Sequence, residues 1–204
     1  MRGSIGRFPI GSRRSMIFGD VHRRLSVLWI GRRISIVLIS QRHRKAVDMA
    51  NSYSTLGNVA LMKLPKVSFL SSRKISPEAV MGSHSWAAKI RDEGTCVIGG
   101  FQSDLEKDVL KFLLRGNGPV IIVEARKARL RVPSNLREAF EMGRLLFVSL
   151  PESKNARVGV ADAERRNTFV LRHSETHVFG SVDPAGHLAK LVSQLPQETV
   201  TVLG

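Results

Sequence analysis

The stretch Pro119-Val-Ile-Ile-Val-Glu124 is almost wholly apolar and rich in β-branched residues. A run of this kind is typical of a central strand in a parallel sheet, because such a strand is buried on both faces. Other short apolar runs predict strands at residues 66–70, 95–99, 145–150 and 176–180, with residues 199–203 as an edge strand. Because the central strand is apolar throughout, helices are expected to cover both of its faces.

The segments between these runs carry the signals of amphipathic helices. Ser76-Pro77-Glu78 offers an N-cap, a first-turn proline and a first-turn acid, and Ser103 with Glu106 forms a capping box. The predicted helices end near residues 93, 115, 142, 172 and 194. Strands that alternate with helices predict an α/β fold with an open parallel sheet of about five strands and helices on both faces.

Positive charge is concentrated at the N-terminus. The chain of 204 residues has a formal net charge of +15, and residues 1–50 hold 11 of its 32 Lys and Arg but only two of its 17 acids. Three interpretations of this segment stay open: an organelle transit peptide, a nucleic-acid-binding arm, or a translated upstream stretch with the true start at Met49 or Met62. We expect residues 1–57 to be a basic extension, disordered or outside the fold, and residues 58–204 to form the domain.

The sequence shows no sign of membrane insertion or secretion. Neither apolar piece of the first fifty residues approaches the roughly 20 residues that a membrane helix needs, and the spread of charge does not fit a secretory signal. The one cysteine, Cys96, cannot form an intrachain disulfide and fits a reducing compartment. We expect a cytoplasmic protein with no membrane contact, and organelle import stays open. The histidines lack metal-ligand spacing, so no metal and no cofactor are expected.

The predicted strand ends carry residues suited to phosphate groups. In open parallel sheets, ligands bind outside the carboxyl ends of the strands. Glycines allow close backbone approach, helix starts offer free N–H groups, and arginine holds phosphate with a planar fork. The candidate phosphate- or nucleic-acid-binding residues are Ser71, Ser72, Arg73, Lys74, Gly99, Gly100, Phe101, Ser103, Arg126, Arg166, Asn167, Pro184 and Gly186.

Structural roles compete with binding roles for several of these residues. Ser103 and Glu106 are explained first as helix caps. The basic residues 126–131 fit a solvated charge run as well as a phosphate contact, and Arg166-Asn167 fits a surface pair. Phe101 is a candidate for stacking on a base or for a place in the core.

Four stretches together resemble the small DprA/Smf-like proteins of the SLOG superfamily: Val67-Ser-Phe-Leu-Ser-Ser-Arg-Lys74, residues 97–110 (V-I-G-G-F-Q-S-D-L-E-K-D-V-L), Gly143-Arg-Leu-Leu146 and Glu164-Arg-Arg-Asn167. The resemblance covers roughly residues 58–195. It implies a Rossmann-like domain that binds nucleic acid or a nucleotide, with single-stranded DNA in DNA processing or uptake as the specific expectation.

The resemblance also implies roles for individual residues. Gly100 matches the glycine of an S-G motif in which Gly99 replaces the usual serine, and Arg166-Asn167 matches the first two positions of an R-N-R motif in which Thr168 replaces the last arginine. Pro184 and Gly186 match a loop that closes over the ligand.

Two other functions stay open beside a noncatalytic nucleic-acid-binding module. One is a phosphoribohydrolase, the enzymatic branch of the resemblance, which is expected to carry a P-G-G-x-G-T-x-x-E loop. The corresponding stretch here, residues 184–191, has no glutamate, and Glu106 and Asp104 are the nearby substitutes. The other is a noncatalytic sensor of a nucleotide signal. We predict no catalytic residue, a partner that is single-stranded DNA or a nucleotide, and leave homo-oligomer formation open.

Overall fold

The computed structural model describes residues 28–30, 33–35, 46–48, 53–126, 129–151 and 159–204. The chain divides into two compact units, Met1–Arg42 and His43–Gly204. In the first unit, β1 (Leu28–Ile30) pairs antiparallel with β2 (Arg33–Ser35). The rest of the predicted basic extension before residue 53, apart from the strand at residues 46–48, lies outside the described residues.

The described part of the second unit is built on a mixed sheet of eight strands. These are β3 (Ala46–Asp48), β4 (Tyr53–Gly57), β5 (Lys66–Leu70), β6 (Cys96–Gly99), β7 (Val120–Glu124), β8 (Leu145–Ser149), β9 (Thr176–Phe179) and β10 (Val200–Val202). Their spatial order is β10-β9-β5-β6-β7-β8-β4-β3. The six strands from β10 to β8 are parallel to one another. Strand β4 is antiparallel to β8, and β3 is antiparallel to β4. The predicted α/β fold with an open parallel sheet is confirmed.

Helices connect the parallel strands, and local sequence signals fix their ends. They are α1 (Pro77–Glu93), α2 (Asp104–Leu114), α3 (Arg137–Glu141), α4 (Val160–Arg172) and α5 (His187–Val192). The Ser76 side chain caps α1, and Gly94 ends that helix with a left-handed φ of 69°, which glycine adopts without strain. Ser103 and Glu106 form the predicted capping box of α2.

Both faces of the sheet are covered by helices. Helices α1, α2 and α3 pack on one face, where they contact the side chains of Val120 and Ile122 in a common core. Helices α4 and α5 and a 3-10 turn at Val59–Lys63 pack on the other face with Ile121 and Val123. Every residue of β7 is buried, which confirms the central strand read from the apolar run.

The strand order reverses next to β5. From β5 to β8 the chain adds strands in one direction with helices on one face, and it then crosses the other face through α4 to place β9 on the opposite side of β5. The connections that follow β5 and β9 therefore leave the sheet on opposite faces. Such a reversal creates a crevice at the carboxyl ends of the two strands, where ligands bind in open α/β sheets.

The sheet extends further toward the N-terminus than the boundary predicted at Asn58. Strand β4 pairs antiparallel with β8, from Ser54 opposite Ser149 to Gly57 opposite Leu146. The Thr55 side chain is buried, and Leu56 packs against the α1–α3 core. The sequence did not predict this strand because its polar and small residues give a weak apolar signal, and only a 3-10 turn, not an amphipathic α-helix, follows it.

The single cysteine lies in the core. Cys96 is 4% exposed, and burial raises the pKa of its thiol to about 11. A thiol with this pKa is almost entirely protonated near neutral pH and is a poor nucleophile. None of the described helices is long and apolar enough to span a membrane.

A chain that begins at Asn58 is expected to be less stable than one that begins at His43, where the second unit starts. Removal of β4 exposes the edge of β8 and the apolar surface that Tyr53 and Leu56 cover. We expect a loss of roughly 2–4 kcal/mol in the free energy of unfolding, measured by urea denaturation. Equal stability of the two chains would show that β4 is dispensable for the fold.

Candidate functional site

The loops after β5 and β9 are hydrogen-bonded to each other at the crevice between these strands. The Ser72 backbone N–H donates to the Ser181 carbonyl at 2.9 Å, and the Asp183 N–H donates to Ser72 Oγ at 2.9 Å. Ser181 Oγ donates to the Lys74 carbonyl at 2.9 Å. The predicted site residues Ser72 and Lys74 therefore lie on one wall of the crevice, fixed to the loop that contains Pro184 and Gly186.

Glu106 joins the loop after β5 to the loop after β6. Its Oε1 accepts from the Ser71 N–H at 3.0 Å, and its Oε2 accepts from the N–H groups of Gln102 at 2.7 Å and Ser103 at 3.3 Å. The side chain is 2% exposed. One buried carboxylate thus caps α2 and also holds Ser71, which is 35 residues away in the sequence.

The charge of Glu106 is balanced by Arg166. Burial raises the pKa of Glu106, while the Arg166 guanidinium and the three backbone N–H donors act to lower it. Burial also lowers the pKa of Arg166, which Glu106 opposes and the nearby Arg73 reinforces. Arg73, Glu106 and Arg166 therefore share one electrostatic neighbourhood at the carboxyl ends of β5 and β6.

Gly100 lies directly beneath the Arg166 side chain. A Cβ atom at Gly100 would stand 2.5 Å from Arg166 Nε and 3.0 Å from Cζ, so a side chain there would displace the guanidinium. Arg166 Nε and Nη2 donate to Asn167 Oδ1 at 3.2 and 3.0 Å. The structure brings Arg73, Gly100, Arg166 and Asn167 together as a cationic surface, and an arginine guanidinium can hold an anion through two parallel hydrogen bonds.

No family model and no curated protein sequence matches the chain. DNA processing protein A of Helicobacter pylori, described for its single-stranded DNA binding mode, covers 89% of this chain and 81% of its own, with 16% identity and a TM-score of 0.58. DNA processing protein A (DprA) of Streptococcus pneumoniae covers 74% of this chain and 53% of its own, with 15% identity and a TM-score of 0.57.

This chain folds like DprA. At 15–16% identity the likeness concerns the fold alone, and it confirms the Rossmann-like, DprA-like expectation at that level. A molybdenum cofactor binding protein from Rippkaea orientalis has a TM-score of 0.45 and 12% identity, too low to support an argument. Placement in the wider SLOG superfamily stays a prediction.

Phe101 is part of the core of this DprA-like fold. It is 5% exposed and packs with Leu105 and Phe69, at a left-handed φ of 49°. The buried alternative is therefore correct, and the ring is not available to stack on a base. The turn explains the placement, because the tight path from Gly99 into α2 directs the Phe101 ring back over Gly99. A Cβ atom added at Gly99 would lie 3.0 Å from Cζ of this ring.

Arg126 is not brought into this cluster by any contact among the described residues. Its Nη2 lies 3.2 Å from Glu124 Oε1, and Arg129 holds the same carboxylate through Nε at 2.9 Å and Nη2 at 2.5 Å. The Arg129 guanidinium also lies 4.7 Å from the centre of the Phe147 ring. Glu124 is 2% exposed, so it requires these cations, and Arg126, whose side chain is 52% exposed, pairs with the end of β7 rather than with Arg73 and Arg166.

The loop after β9 is shaped by Asp183, which the sequence analysis did not single out. Its Oδ1 accepts from the Ala185 N–H at 3.1 Å, and its carbonyl accepts from the Gly186 N–H at 2.8 Å. Asp183 also pairs with Lys74 at 3.2 Å, but the Lys74 side chain is 83% exposed, so this pair contributes little to stability. An aspartate directly before Pro-x-Gly is a turn signal that the sequence offered.

Glu106→Gln is expected to destabilise the fold by about 2 kcal/mol, because an amide nitrogen would face backbone N–H donors that now share a carboxylate. Urea denaturation near neutral pH measures the change. Asp104→Asn is the matched control, since Asp104 lies in the same first turn with its side chain 94% exposed, and its cost should stay below about 0.5 kcal/mol. Equal effects of the two variants would contradict the anchoring role of Glu106.

Proposed function

We propose that this chain binds single-stranded nucleic acid, with single-stranded DNA in DNA processing or uptake as its specific ligand. Arg73 and Arg166 contact the phosphates, and the hydroxyl groups of Ser72 and Ser103, whose oxygens accept from backbone N–H groups, donate beside them. The observation that carries the proposal is the Arg166 guanidinium, which lies over Gly100 beside a second cation.

The hydrogen bonding of Arg166 favours an anionic ligand. A guanidinium has five N–H donors, and those described here reach only Asn167 Oδ1. The negative charge nearest to Arg166 in this cluster is the Glu106 carboxylate, whose oxygens already accept hydrogen bonds from three backbone N–H groups. A partly buried cation with unused donors gains from a phosphate, which accepts two parallel hydrogen bonds from arginine.

The fold neighbours and the charge support the same ligand. The H. pylori protein that shares the fold binds single-stranded DNA. The net charge of +15 favours association with a polyanion. The hydrolase alternative gains no support, because both carboxylate oxygens of Glu106 are engaged in holding the two loops.

Arg73→Ala and Arg166→Ala are expected to weaken binding of a labelled single-stranded oligonucleotide by about 10-fold each, measured by fluorescence anisotropy on the full chain. Each should also reduce the slope of log affinity against log salt by roughly 0.7, the value for one lost phosphate contact on a single strand. Arg166→Lys keeps the charge but loses the fork, so it should recover only part of the affinity.

Arg137→Ala is the charge-matched control, because Arg137 is exposed on α3, the helix between β7 and β8, and lies outside the loops that follow β5, β6 and β9. It should change the affinity and the salt slope far less than the two site variants. Absence of oligonucleotide binding at low salt, or equal losses in all three alanine variants, would refute the proposal. Tight binding of mononucleotides without any gain from longer strands would favour the nucleotide-sensor alternative instead.

A further inference from the structure

An open groove lies between α4 and Tyr53, the first residue of β4, on the sheet face opposite α1 and α2. Its volume is about 710 Å³. We name it the α4 groove and define it by Tyr53, Pro151, Arg165, Phe169, Arg172 and His173. It borders the helix that carries Arg166.

Three rings form a continuous aromatic surface in the α4 groove. Phe169 and His173 are stacked, with ring centroids 3.9 Å apart and an interplanar angle of 22°. Tyr53 meets Phe169 edge-on at 5.3 Å and 78°. His173 Nδ1 lies 2.8 Å from the Phe169 carbonyl, so Nδ1 carries the proton and the ring orientation is fixed. All three residues are half-buried, which leaves ring surface open to a ligand.

Positive charge lies beside these rings. Arg172 is exposed and has no acidic partner among the described residues. The two carboxylates that line the groove have partners of their own, since Asp162 binds Arg165, which also lines the groove, at 2.5 Å, and Glu164 binds His187. The groove therefore combines aromatic faces with one unpaired arginine, which suits a planar, electron-rich group attached to an anion.

The position of the groove on α4 connects it to the phosphate site. Arg165, Phe169 and Arg172 recur at spacings of four and three, so they share one face of the helix. Arg166 is the next residue after Arg165 and faces Gly100. A strand held at Arg166 thus has only the width of one helix to cross before it reaches the aromatic surface.

We propose that the α4 groove binds unstacked nucleobases of the single strand whose phosphates lie at Arg73 and Arg166. This inference rests on the proposed function and adds a second contact that recognises bases rather than phosphates. Stacking on aromatic side chains is tolerant of sequence, because every base has a π face. The groove therefore adds affinity for single strands without selecting a sequence.

The test compares two ligands of equal length and phosphate number, an oligodeoxythymidine and a fully abasic strand. The full chain should bind the base-bearing strand more tightly. Phe169→Leu keeps an apolar side chain but removes the π face, and it should weaken oligodeoxythymidine binding by about 10-fold while leaving abasic-strand binding unchanged. His173→Ala should act in the same direction and carries the test if thermal unfolding shows that Phe169→Leu does not fold.

Phe112→Leu is the matched control. Phe112 is also half-buried, lies beside a histidine, His84, at 5.0 Å, and has an arginine, Arg115, 5.6 Å from its ring centre. It is on α2, at the other face of the sheet, so it should not alter the preference for bases.

The outcomes separate this inference from the proposed function. Binding by the full chain with equal affinity for the two ligands would overturn the groove and leave the phosphate site standing. A loss in Phe112→Leu equal to that in Phe169→Leu would overturn it as well. If the unaltered chain binds neither strand, both proposals fail.

Discussion

A buried carboxylate at Glu106 is the constraint on which the candidate site depends. An ionised carboxylate taken out of water costs several kcal/mol unless hydrogen bonds and a counter-charge replace the lost solvent. Three backbone N–H groups and the field of Arg166 supply that replacement. The same contacts set the distance between the loops after β5 and β6. They also explain why Arg166 stays partly buried over Gly100, at the edge of a crevice that is open to solvent.

The sequence predicted the features that depend on neighbouring residues. These are local signals that are all present in the structure: the apolar run of β7, the helix caps at Ser76 and Ser103, and the glycine at position 94 that ends α1. The hydrogen bond that Glu106 accepts from the Ser71 N–H could not be predicted from the sequence, because it requires β5 and β6 to be adjacent in the sheet. Strand β4 was missed for a related reason: it lies between β8 and β3 and pairs antiparallel with both, so no α-helical crossover marks it as part of a βαβ unit.

Two arginines that the sequence offered for the same role have different surroundings in the structure. Arg126 follows the buried strand β7, whereas Arg166 lies within α4, and both were candidates for phosphate contact. The decisive difference is the nearest carboxylate, since Glu124 at the end of β7 binds Arg126 and Arg129, whereas Glu106 is already bound by backbone N–H groups. A count of basic residues in loops cannot distinguish these cases, because it does not show which carboxylates remain available after the chain has folded.

The position of β9 beside β5 determines when the crevice can form during synthesis. Val67 pairs with Thr176, more than one hundred residues later in the chain, whereas β5, β6, β7 and β8 pair with strands that follow one another. Contacts between distant residues form late, because a long loop must close first, and domains emerge from the ribosome N-terminus first. A nascent chain that has not yet reached Thr176 already contains the Glu106 anchor but lacks the wall formed by Ser181 and Asp183. The crevice is therefore completed only after β9 has paired with β5.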